Sequence, residues 1–593
     1  MDSSVVADRP MATGRAPALR RWLGPLLLSI GLLALPMLVD NFVAYQIALF
    51  LLYGIATQGV ALCWGQCGFL PLGHALFFGL GAYLAGGILK AGEQAVGWLA
   101  ALPLAIALPA ALAWLIAHLV FVRNQRSGPF FSLITLATTM LGFLAAQQWT
   151  AVTGGFNGLA GIPELPGTDR FTTLYWMIAA CAIASTTLLT VLARRPIGIL
   201  WRAIAQNEDR LQFFGFATHR WKAGAFSLSA ALAALAGALF AAHQGIVTPL
   251  AMGYVLSTEL VIWAAVGGKA NPLGALLGAV IVGYASSELR DLFSAWEVIV
   301  GIAFMLVVRF LPNGVSGIFK SSRKQGEAIS SVAASVAPAL SRIGDPALVF
   351  DNVATGHAGV KILDGLTLNA TGPGIRCVIG PNGAGKTSAF NVMTGRLPVR
   401  AGRVVVNGVD ASGWSAWRVA RLGVGRKFQI PSVFHDLTVR QNFAIALWAG
   451  RVGPTISLKR APIGWQSPLL EQMLRMFPML RDQLDARAGD LAQGDRQALE
   501  FVMTVLPEPK LLLLDEPCAG LSPAETRRMI DAIMAAAGLL DAAALVIEHD
   551  MAAVAVIAGH VFVLHQGKRL AEGTLAQIQA DPAVRAVYAG GRK

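Results

Sequence analysis

The sequence predicts a two-part protein, in which a polytopic all-α membrane domain is followed by a soluble α/β domain. The chain has 593 residues, of which 55% are hydrophobic and 14% are charged. Its mean hydropathy of +0.58 is too high for a wholly soluble protein. Long apolar runs fill the first half, whereas short apolar strands alternate with helix-like stretches in the second. A chain of this length also exceeds what one hydrophobic core supports.

The predicted membrane domain extends over residues 23–312 and contains about eight to ten spans. Seven apolar runs are near the length that a bilayer requires, at 23–39, 43–63, 72–89, 96–122, 129–149, 172–192 and 223–243. Two shorter segments, 255–267 and 272–287, flank the sequence GGKANP, and a last run covers 295–311. The short pair forms either two tight spans or one re-entrant hairpin, so ten or eight crossings are expected.

Positive charge predicts the orientation of these spans. The net charge of +13 favours basic cytoplasmic loops over nucleic-acid binding in a chain this apolar. The basic N-terminus (1–22), the loop with Arg123 and Arg126, and the loop 194–222 should therefore be cytoplasmic. The loops between them carry few basic residues, at 90–95, 150–171 and 245–254. We expect an even number of crossings, because the C-terminal domain should also be cytoplasmic.

Residues 313–345 are rich in Ser, Ala and Gly and carry a basic cluster, which is typical of an interdomain linker. The soluble domain is expected over 346–593. Its strand candidates include VVV at 404–406, LLLLD at 511–515 and ALVIE at 544–548.

A phosphate-binding loop is the most specific motif in the chain. GPNGAGKT at 380–387 matches G-x-x-x-x-G-K-[ST] between a strand candidate and a helix-like stretch. Its glycines let backbone N–H groups surround phosphate oxygens, and the helix N-terminus adds a favourable dipole. The pattern predicts ATP and Mg²⁺ as cofactors, with Lys386 on the phosphates and Thr387 on the metal. The predicted nucleotide-binding residues of the motif are Gly380, Pro381, Asn382, Gly383, Ala384, Gly385, Lys386, Thr387 and Ser388.

Catalytic groups are predicted downstream of this loop. LLLLDEP at 511–517 is an apolar strand that ends in two acids. Asp515 can hold Mg²⁺, and Glu516 can act as general base toward the attacking water. Gln429 lies between the phosphate loop and these acids, and His549 follows the next strand candidate at its carboxyl end.

The order of these motifs resembles the ATP-binding subunit of an ABC transporter over about residues 347–593, and so predicts a P-loop ABC ATPase domain. The resemblance implies that Gln429 ligates Mg²⁺ and senses the membrane domain, and that His549 contacts the γ-phosphate. It further implies that AGLS (519–522) forms a loop across a nucleotide-bound dimer. His357 aligns with the aromatic residue that stacks on adenine in the family.

The signature segment departs from the family pattern. Leu491, Ala492, Gln493, Gly494 and Asp495 stand where the family carries a sequence close to LSGGQ. There the serine hydroxyl and the N–H groups of a helix N-terminus hold the γ-phosphate bound by the opposite subunit. Ala492 lacks that hydroxyl, Gln493 replaces a glycine, and Asp495 adds negative charge. We expect an asymmetric pair of ATP sites, and a catalytically weak subunit acting as scaffold or regulator is the alternative.

The membrane half resembles the permease of branched-chain amino acid importers. The segments GHALFFGLGAYLAG (73–86), TGGFNGLAGIP (153–163) and RRPIGILWRAIAQNEDRLQFFGF (194–216) carry this resemblance. It implies that residues 198–216 form a cytoplasmic coupling helix that docks on an ATPase. STELVIWAAVGG, GRKFQIPSVF and VLHQG are most similar to the urea and short-amide branch.

These resemblances imply a natural fusion of an importer permease with its ATPase in a bacterial inner membrane, with the ATPase cytoplasmic. ATP-driven import of branched-chain amino acids or related small solutes is expected, and urea or short-chain amides are the alternative. The chain has one phosphate loop and one permease unit, so it requires a second copy or, as the resemblance implies and as we expect, a different permease and a different ATPase. A periplasmic or lipid-anchored substrate-binding protein and membrane lipid are the further expected partners; nucleic acid is not.

Overall fold

A computed structural model describes residues 16–92, 95–123, 128–292, 295–311, 314–317, 335–340, 347–357 and 360–589. The chain divides into two compact units. The first combines Met1–Val191 with Lys222–Ser321, and the second combines Leu192–Trp221 with Ser322–Lys593. Most of the predicted N-terminal segment, most of the predicted linker and Arg126 lie outside the described residues.

The first unit is helical, and a helix lies at each predicted apolar run. Those in the described part of the chain are Ala16–Leu38, Asn41–Ala61, His74–Ala91, Ala95–Arg123, Gly128–Gln148, Thr173–Ala193, Thr218–Gln244, Tyr254–Gly267, Pro272–Leu292 and Trp296–Phe310. Among the described residues, seven helices are long and apolar enough to cross a membrane. Leu26–Leu38 and Tyr254–Gly267 are shorter apolar helices. The number of crossings stays a prediction.

The two short segments around GGKANP form separate helices that pack on each other and on Asn41–Ala61. Glycine makes this close contact feasible. A Cβ on Gly278 would lie 2.4 Å from the carbonyl oxygen of Trp263. Small residues allow helix backbones to approach in this way where water supplies no driving force.

The described residues of the second unit form two larger sheets, built in part from the predicted strands, and a two-stranded pair of Ser335–Val336 with Trp465–Gln466. Among its described residues, six strands form the larger sheet in the order Lys568–Gly573, His560–His565, Gly374–Ile379, Ala543–Ile547, Leu511–Asp515 and Val424–Lys427. All neighbouring pairs are parallel except the first. A four-stranded antiparallel sheet has the order Val360–Thr371, Ala347–His357, Ala401–Val406 and Val409–Asp410. The predicted α/β ATPase fold is therefore confirmed.

The core of the second unit lies between these sheets. Phe350 and Leu366 of the antiparallel sheet belong to one buried cluster with Leu513 and Leu545 of the parallel sheet. Phe390, on the helix Lys386–Met393, completes it. The helix after the phosphate loop is thus held from both sides by apolar packing, which keeps the loop in place.

Residues 192–221, named the coupling segment from here on, belong to the same compact unit as the ATPase. Their helix runs from Pro196 to Gln212, whereas the predicted coupling helix covers residues 198–216. Asn207 interrupts it with φ −153° and ψ 83°. The Asn207 side-chain oxygen accepts a hydrogen bond of 3.0 Å from the backbone N–H of Arg210. Asn207 therefore caps a new helical turn, as asparagine often does at a helix start.

Candidate nucleotide site

The phosphate loop has the backbone shape that its glycines predict. It joins the strand Gly374–Ile379 to the helix Lys386–Met393. Gly380, Gly383 and Gly385 have φ values of 151°, 81° and 98°, which residues with a Cβ rarely adopt. A Cβ on Gly380 would also lie 2.2 Å from the carbonyl oxygen of Leu564.

The ammonium group of Lys386 lies over this loop. It donates hydrogen bonds to the carbonyl oxygens of Gly380, at 2.6 Å, and of Pro381, at 3.1 Å. Burial lowers the pKa of Lys386, whereas the carboxylates of Glu516 and Asp515 raise it. The two acids and the lysine are therefore close enough to interact electrostatically, as a site for a phosphate–metal complex requires.

Asp515 has the environment expected of a metal ligand. It ends the buried strand Leu511–Asp515 and is only 1% exposed. Burial raises its pKa, while the Arg426 guanidinium and a hydrogen bond from Thr387 lower it. Its Oδ1 atom is buried without a hydrogen-bond partner among the described residues. Since buried polar atoms are normally satisfied, this oxygen fits a role as ligand to Mg²⁺.

The three predicted catalytic side chains meet at one carboxylate oxygen. Gln429 donates from Nε2 to Oε2 of Glu516 at 2.9 Å, and His549 Nδ1 lies 4.0 Å from the same oxygen. Glu516 itself has φ 46°, in the left-handed region, and its N–H bonds to the carbonyl oxygen of Ile547. Strain at a residue of this kind is common at functional sites.

Strand order explains this convergence. Gln429, Glu516 and His549 each follow one of the strands Val424–Lys427, Leu511–Asp515 and Ala543–Ile547, which are neighbours in the sheet. Their carboxyl ends share one edge because the strands are parallel, and ligands of open α/β sheets bind there.

Glu548 is a residue of this edge that the sequence analysis did not identify. It is 1% exposed, and its carboxylate accepts from the backbone N–H groups of Cys518, at 3.1 Å, and His549, at 3.3 Å. Burial raises the pKa of Glu548, and these hydrogen bonds oppose the shift. Glu548 thus joins the loop after Glu516 to the loop that carries His549. An acid directly after an apolar strand and before His549 was the available signal.

The signature segment forms a second cluster. Ala492 is the N-cap residue of the helix Gln493–Val505, named the signature helix below, and has no side-chain acceptor to offer. Asp495 Oδ2 accepts a hydrogen bond of 3.1 Å from Gln483. Gly494 lies against Glu525, which forms a capping box with Ser522 at the start of the helix Pro523–Leu540.

His357 ends the strand Ala347–His357, and its backbone is paired with Val360. Its side chain lies outside the described residues, so adenine stacking by His357 stays a prediction. Within the described part of the chain, no group of three or more His, Cys, Asp or Glu residues could hold a metal ion. The Mg²⁺ site expected from Asp515, Thr387 and Gln429 stays a prediction.

The parallel sheet, the phosphate loop and the acids at the strand ends define an ABC-type ATPase. Residues 363–519 match the ABC transporter family, and residues 42–309 match the permease component of the branched-chain amino acid transport system. The chain therefore belongs to the branched-chain amino acid ABC transporter family, as a fusion of its permease and ATPase domains. The ATPase domain is of the class that hydrolyses ATP coupled to transport.

Curated relatives match the ATPase half. The high-affinity branched-chain amino acid transport ATP-binding protein LivG of Escherichia coli is 32% identical over 258 residues, 42% of this chain and 99% of that protein. BraF of Pseudomonas aeruginosa is 31% identical over 255 residues, which are 41% of this chain and 98% of BraF. A nucleotide-free ATP-binding cassette of an ABC transporter is 26% identical, covers 41% of this chain and 98% of its own, and has a TM-score of 0.36.

Proposed function

We propose that the chain is the fused permease and ATPase subunit of an importer that carries branched-chain amino acids across a bacterial inner membrane. The hydrogen bond from Gln429 to Glu516, beside His549, carries the catalytic part of this proposal. The permease match and the printed names of the LivG and BraF relatives support the transport part. The ATPase domain would be cytoplasmic and the permease multi-pass.

Hydrolysis follows from the side chains at the sheet edge. The phosphate loop and Lys386 would hold the β- and γ-phosphates of ATP. Thr387, Gln429 and Asp515 would hold Mg²⁺, which when bound neutralises phosphate charge. Glu516 would accept the proton of the attacking water.

His549 would contact the γ-phosphate from the other side of Glu516. Its Nδ1 atom lies 4.0 Å from the Glu516 carboxylate, which is too far for a hydrogen bond but near enough for both groups to act at one γ-phosphate. Gln429 would hold Mg²⁺ through its side-chain oxygen, while its Nε2 atom donates to Glu516 at 2.9 Å.

The assembly requires further subunits. The chain encodes one phosphate loop and one permease unit, so we propose that it pairs with a different permease and a different ATPase. A periplasmic or lipid-anchored substrate-binding protein would deliver the solute. The signature segment of this chain would complete the partner's ATP site, and its Ala492 and Asp495 would make that composite site the weaker one.

Urea or a short-chain amide is the alternative substrate, and the sequences STELVIWAAVGG, GRKFQIPSVF and VLHQG support it. The alternative of another class is a scaffold or regulator whose ATP sites turn over slowly. It rests on the Ala492 and Asp495 replacements in the signature segment.

Uptake by proteoliposomes that hold the assembled transporter tests these alternatives. Labelled leucine and labelled urea are supplied with the matching binding protein, and the Lys386→Ala chain serves as the control without ATP-driven uptake. Leucine uptake that depends on ATP and on Lys386 is expected. Urea uptake without leucine uptake would replace the proposed substrate, and uptake of neither with slow ATP turnover would favour the scaffold.

A further inference from the structure

We propose that Arg210 and Glu500 form a buried ion pair that anchors the coupling segment of this chain to its own ATPase domain and positions the Gln429 loop. Arg210 and Glu500 are positioning residues in this proposal, since neither contacts the reacting atoms. The proposal rests on the ATP-driven transport proposed above. It assigns a specific partner to the docking surface of the ATPase, namely residues 192–221 of the same chain.

Arg210 is inserted into the ATPase domain. Its side chain is 1% exposed, and its Nη1 donates to the carbonyl oxygen of Arg426 at 2.6 Å. Nη2 donates to the Thr504 hydroxyl at 3.0 Å and to the carbonyl oxygen of Glu500 at 3.3 Å. The guanidinium carbon lies 4.8 Å from the ring centroid of Phe214. A charged side chain buried this completely needs a counter-ion.

Glu500 supplies the counter-ion from the signature helix. Its carboxylate is 0% exposed and its Oε1 lies 3.6 Å from Nη1 of Arg210. The same oxygen accepts a hydrogen bond of 3.1 Å from the backbone N–H of Phe428, and Oε2 lies 3.7 Å from the ammonium of Lys427. One carboxylate of the signature helix thus contacts both the coupling segment and the chain around Lys427 and Phe428 that leads to Gln429.

The contact between Glu500 and Phe428 lies next to the residue that binds the Glu516 carboxylate. Phe428, held by Glu500, precedes Gln429, whose side chain donates to Glu516. Lys427 also donates to Gln497 of the signature helix. A displacement of Arg210 therefore acts on the backbone beside Gln429 and on the signature helix together. Such a shared group is a physical route for coupling between two sites.

The charges around Glu500 make a substitution of Arg210 more informative than a substitution of Glu500. Burial lowers the pKa of Lys427 and of Arg210, and the Glu500 carboxylate opposes both shifts. Loss of Glu500 leaves these buried cations without their shared counter-ion, which should destabilise the domain. Loss of Arg210 leaves Glu500 with Lys427 and the Phe428 N–H group. Arg210→Met should therefore weaken docking while the ATPase domain stays folded.

A neighbouring ion pair provides the matched control. Asp209, one residue before Arg210, lies 3.0 Å from Arg396, and the two side chains are 28% and 41% exposed. Exposed ion pairs contribute little because water screens them. Asp209→Asn removes one charge from the coupling segment, as Arg210→Met does, but leaves the buried pair intact.

Turnover and uptake of the full chain in proteoliposomes test the functional part. Arg210→Met should bind ATP within about twofold of wild type, because no nucleotide contact is lost. The stimulation of ATP turnover by loaded binding protein should fall by about tenfold or more, as expected when a buried pair loses one partner. Asp209→Asn should stay within about twofold of wild type in ATP binding and in the stimulation of ATP turnover. Unchanged stimulation in Arg210→Met overturns the proposal.

Crosslinking tests the docking part without any transport substrate. The backbone N–H of Asp436 donates to the side-chain oxygen of Gln206 at 2.9 Å, so the two backbones are separated by the length of a glutamine side chain. A disulfide requires closer Cα atoms, so cysteines at these two positions are joined with a short bismaleimide reagent. Arg210→Met should lower the yield of crosslinked protein several-fold, and Asp209→Asn should not. No crosslink in the otherwise unchanged pair, or equal yields in both backgrounds, contradicts cis docking through Arg210. Failure to import leucine would contradict only the proposed function.

Discussion

Gln429 and Glu516 are 87 residues apart in the chain, yet the Gln429 amide donates a hydrogen bond of 2.9 Å to the Glu516 carboxylate. The bond occupies the oxygen that His549 also approaches. The Glu516 carboxylate, which we propose as the general base, is therefore held by the Gln429 amide and has His549 nearby. This arrangement makes the role of each group at the strand ends testable.

Glu516→Gln should lower ATP turnover by about 100-fold or more, because the amide cannot accept the proton of the attacking water. ATP binding should persist, since Lys386 and the phosphate loop are unchanged. Glu572→Gln is the control, because Glu572 is 42% exposed and pairs with Arg569 on an edge strand. Turnover and nucleotide affinity are measured in membranes for both variants. Equal, slow turnover of wild type and Glu516→Gln would show that Glu516 is not the base.

Ala492→Ser combined with Asp495→Gln should raise ATP turnover of the assembled transporter by several-fold. The serine hydroxyl restores a donor for the γ-phosphate, and the second change removes a charge that opposes it. Gln483 donates to Asp495, and Gln can accept the same bond, so the local fold should persist. Asp490→Asn, an exposed change two residues before Ala492, controls for loss of charge alone. Unchanged turnover would mean that the backbone amides suffice.

Asp515→Asn should stabilise the nucleotide-free protein near neutral pH and abolish Mg²⁺-dependent nucleotide binding. Burial raises the pKa of Asp515, so the neutral carboxyl group favours the folded state below the unfolded pKa, and this advantage is lost as pH rises through the folded pKa. The amide does not ionise. The Tm of Asp515→Asn should therefore be higher than that of wild type at pH 7.5.

The same comparison at about pH 4, near the ordinary pKa of Asp, supplies the control for the Asp515 prediction. There the raised pKa makes Asp515 more protonated in the folded protein than in the unfolded chain, so the Tm difference between wild type and Asp515→Asn should shrink. An equal difference at both pH values would mean that the amide acts through packing or hydrogen bonding and not through charge. A lower Tm for the variant at neutral pH would contradict the prediction outright.

Gly494→Ala and Gly538→Ala should change stability in opposite directions. A Cβ on Gly494 would lie 2.3 Å from Oε1 of Glu525 and would disturb the capping box with Ser522, at a cost of about 1 kcal/mol. A Cβ on Gly538 meets no described atom within 4 Å, and alanine in a helix is about 1 kcal/mol more favourable than glycine. Urea unfolding followed by circular dichroism measures both. Equal effects of the two substitutions would contradict the Gly494 contact.

Much of the nucleotide site could be predicted because its motifs are local. The phosphate loop needs only a strand, glycines at set spacings and a helix start, and the Asp515–Glu516 pair needs only the end of an apolar strand. Each of these requirements is met by residues that are consecutive in the chain, and the structure has the strand, loop and helix that they predict. The break of the coupling helix at Asn207 was missed, although asparagine is a common helix cap.

Contacts between distant residues depended on the tertiary structure. The sequence by itself determined the two-part organisation, the phosphate loop and the order of the catalytic motifs, because hydrophobic periodicity and backbone geometry act over short stretches. Only the tertiary structure decided that Gln429 and His549 meet at Glu516, and that Arg210 is buried against Glu500, 290 residues away. The order of the strands brings Gln429 and His549 to Glu516, and the need to pair a buried charge brings Arg210 to Glu500. Neither cause leaves a periodic signal in the sequence.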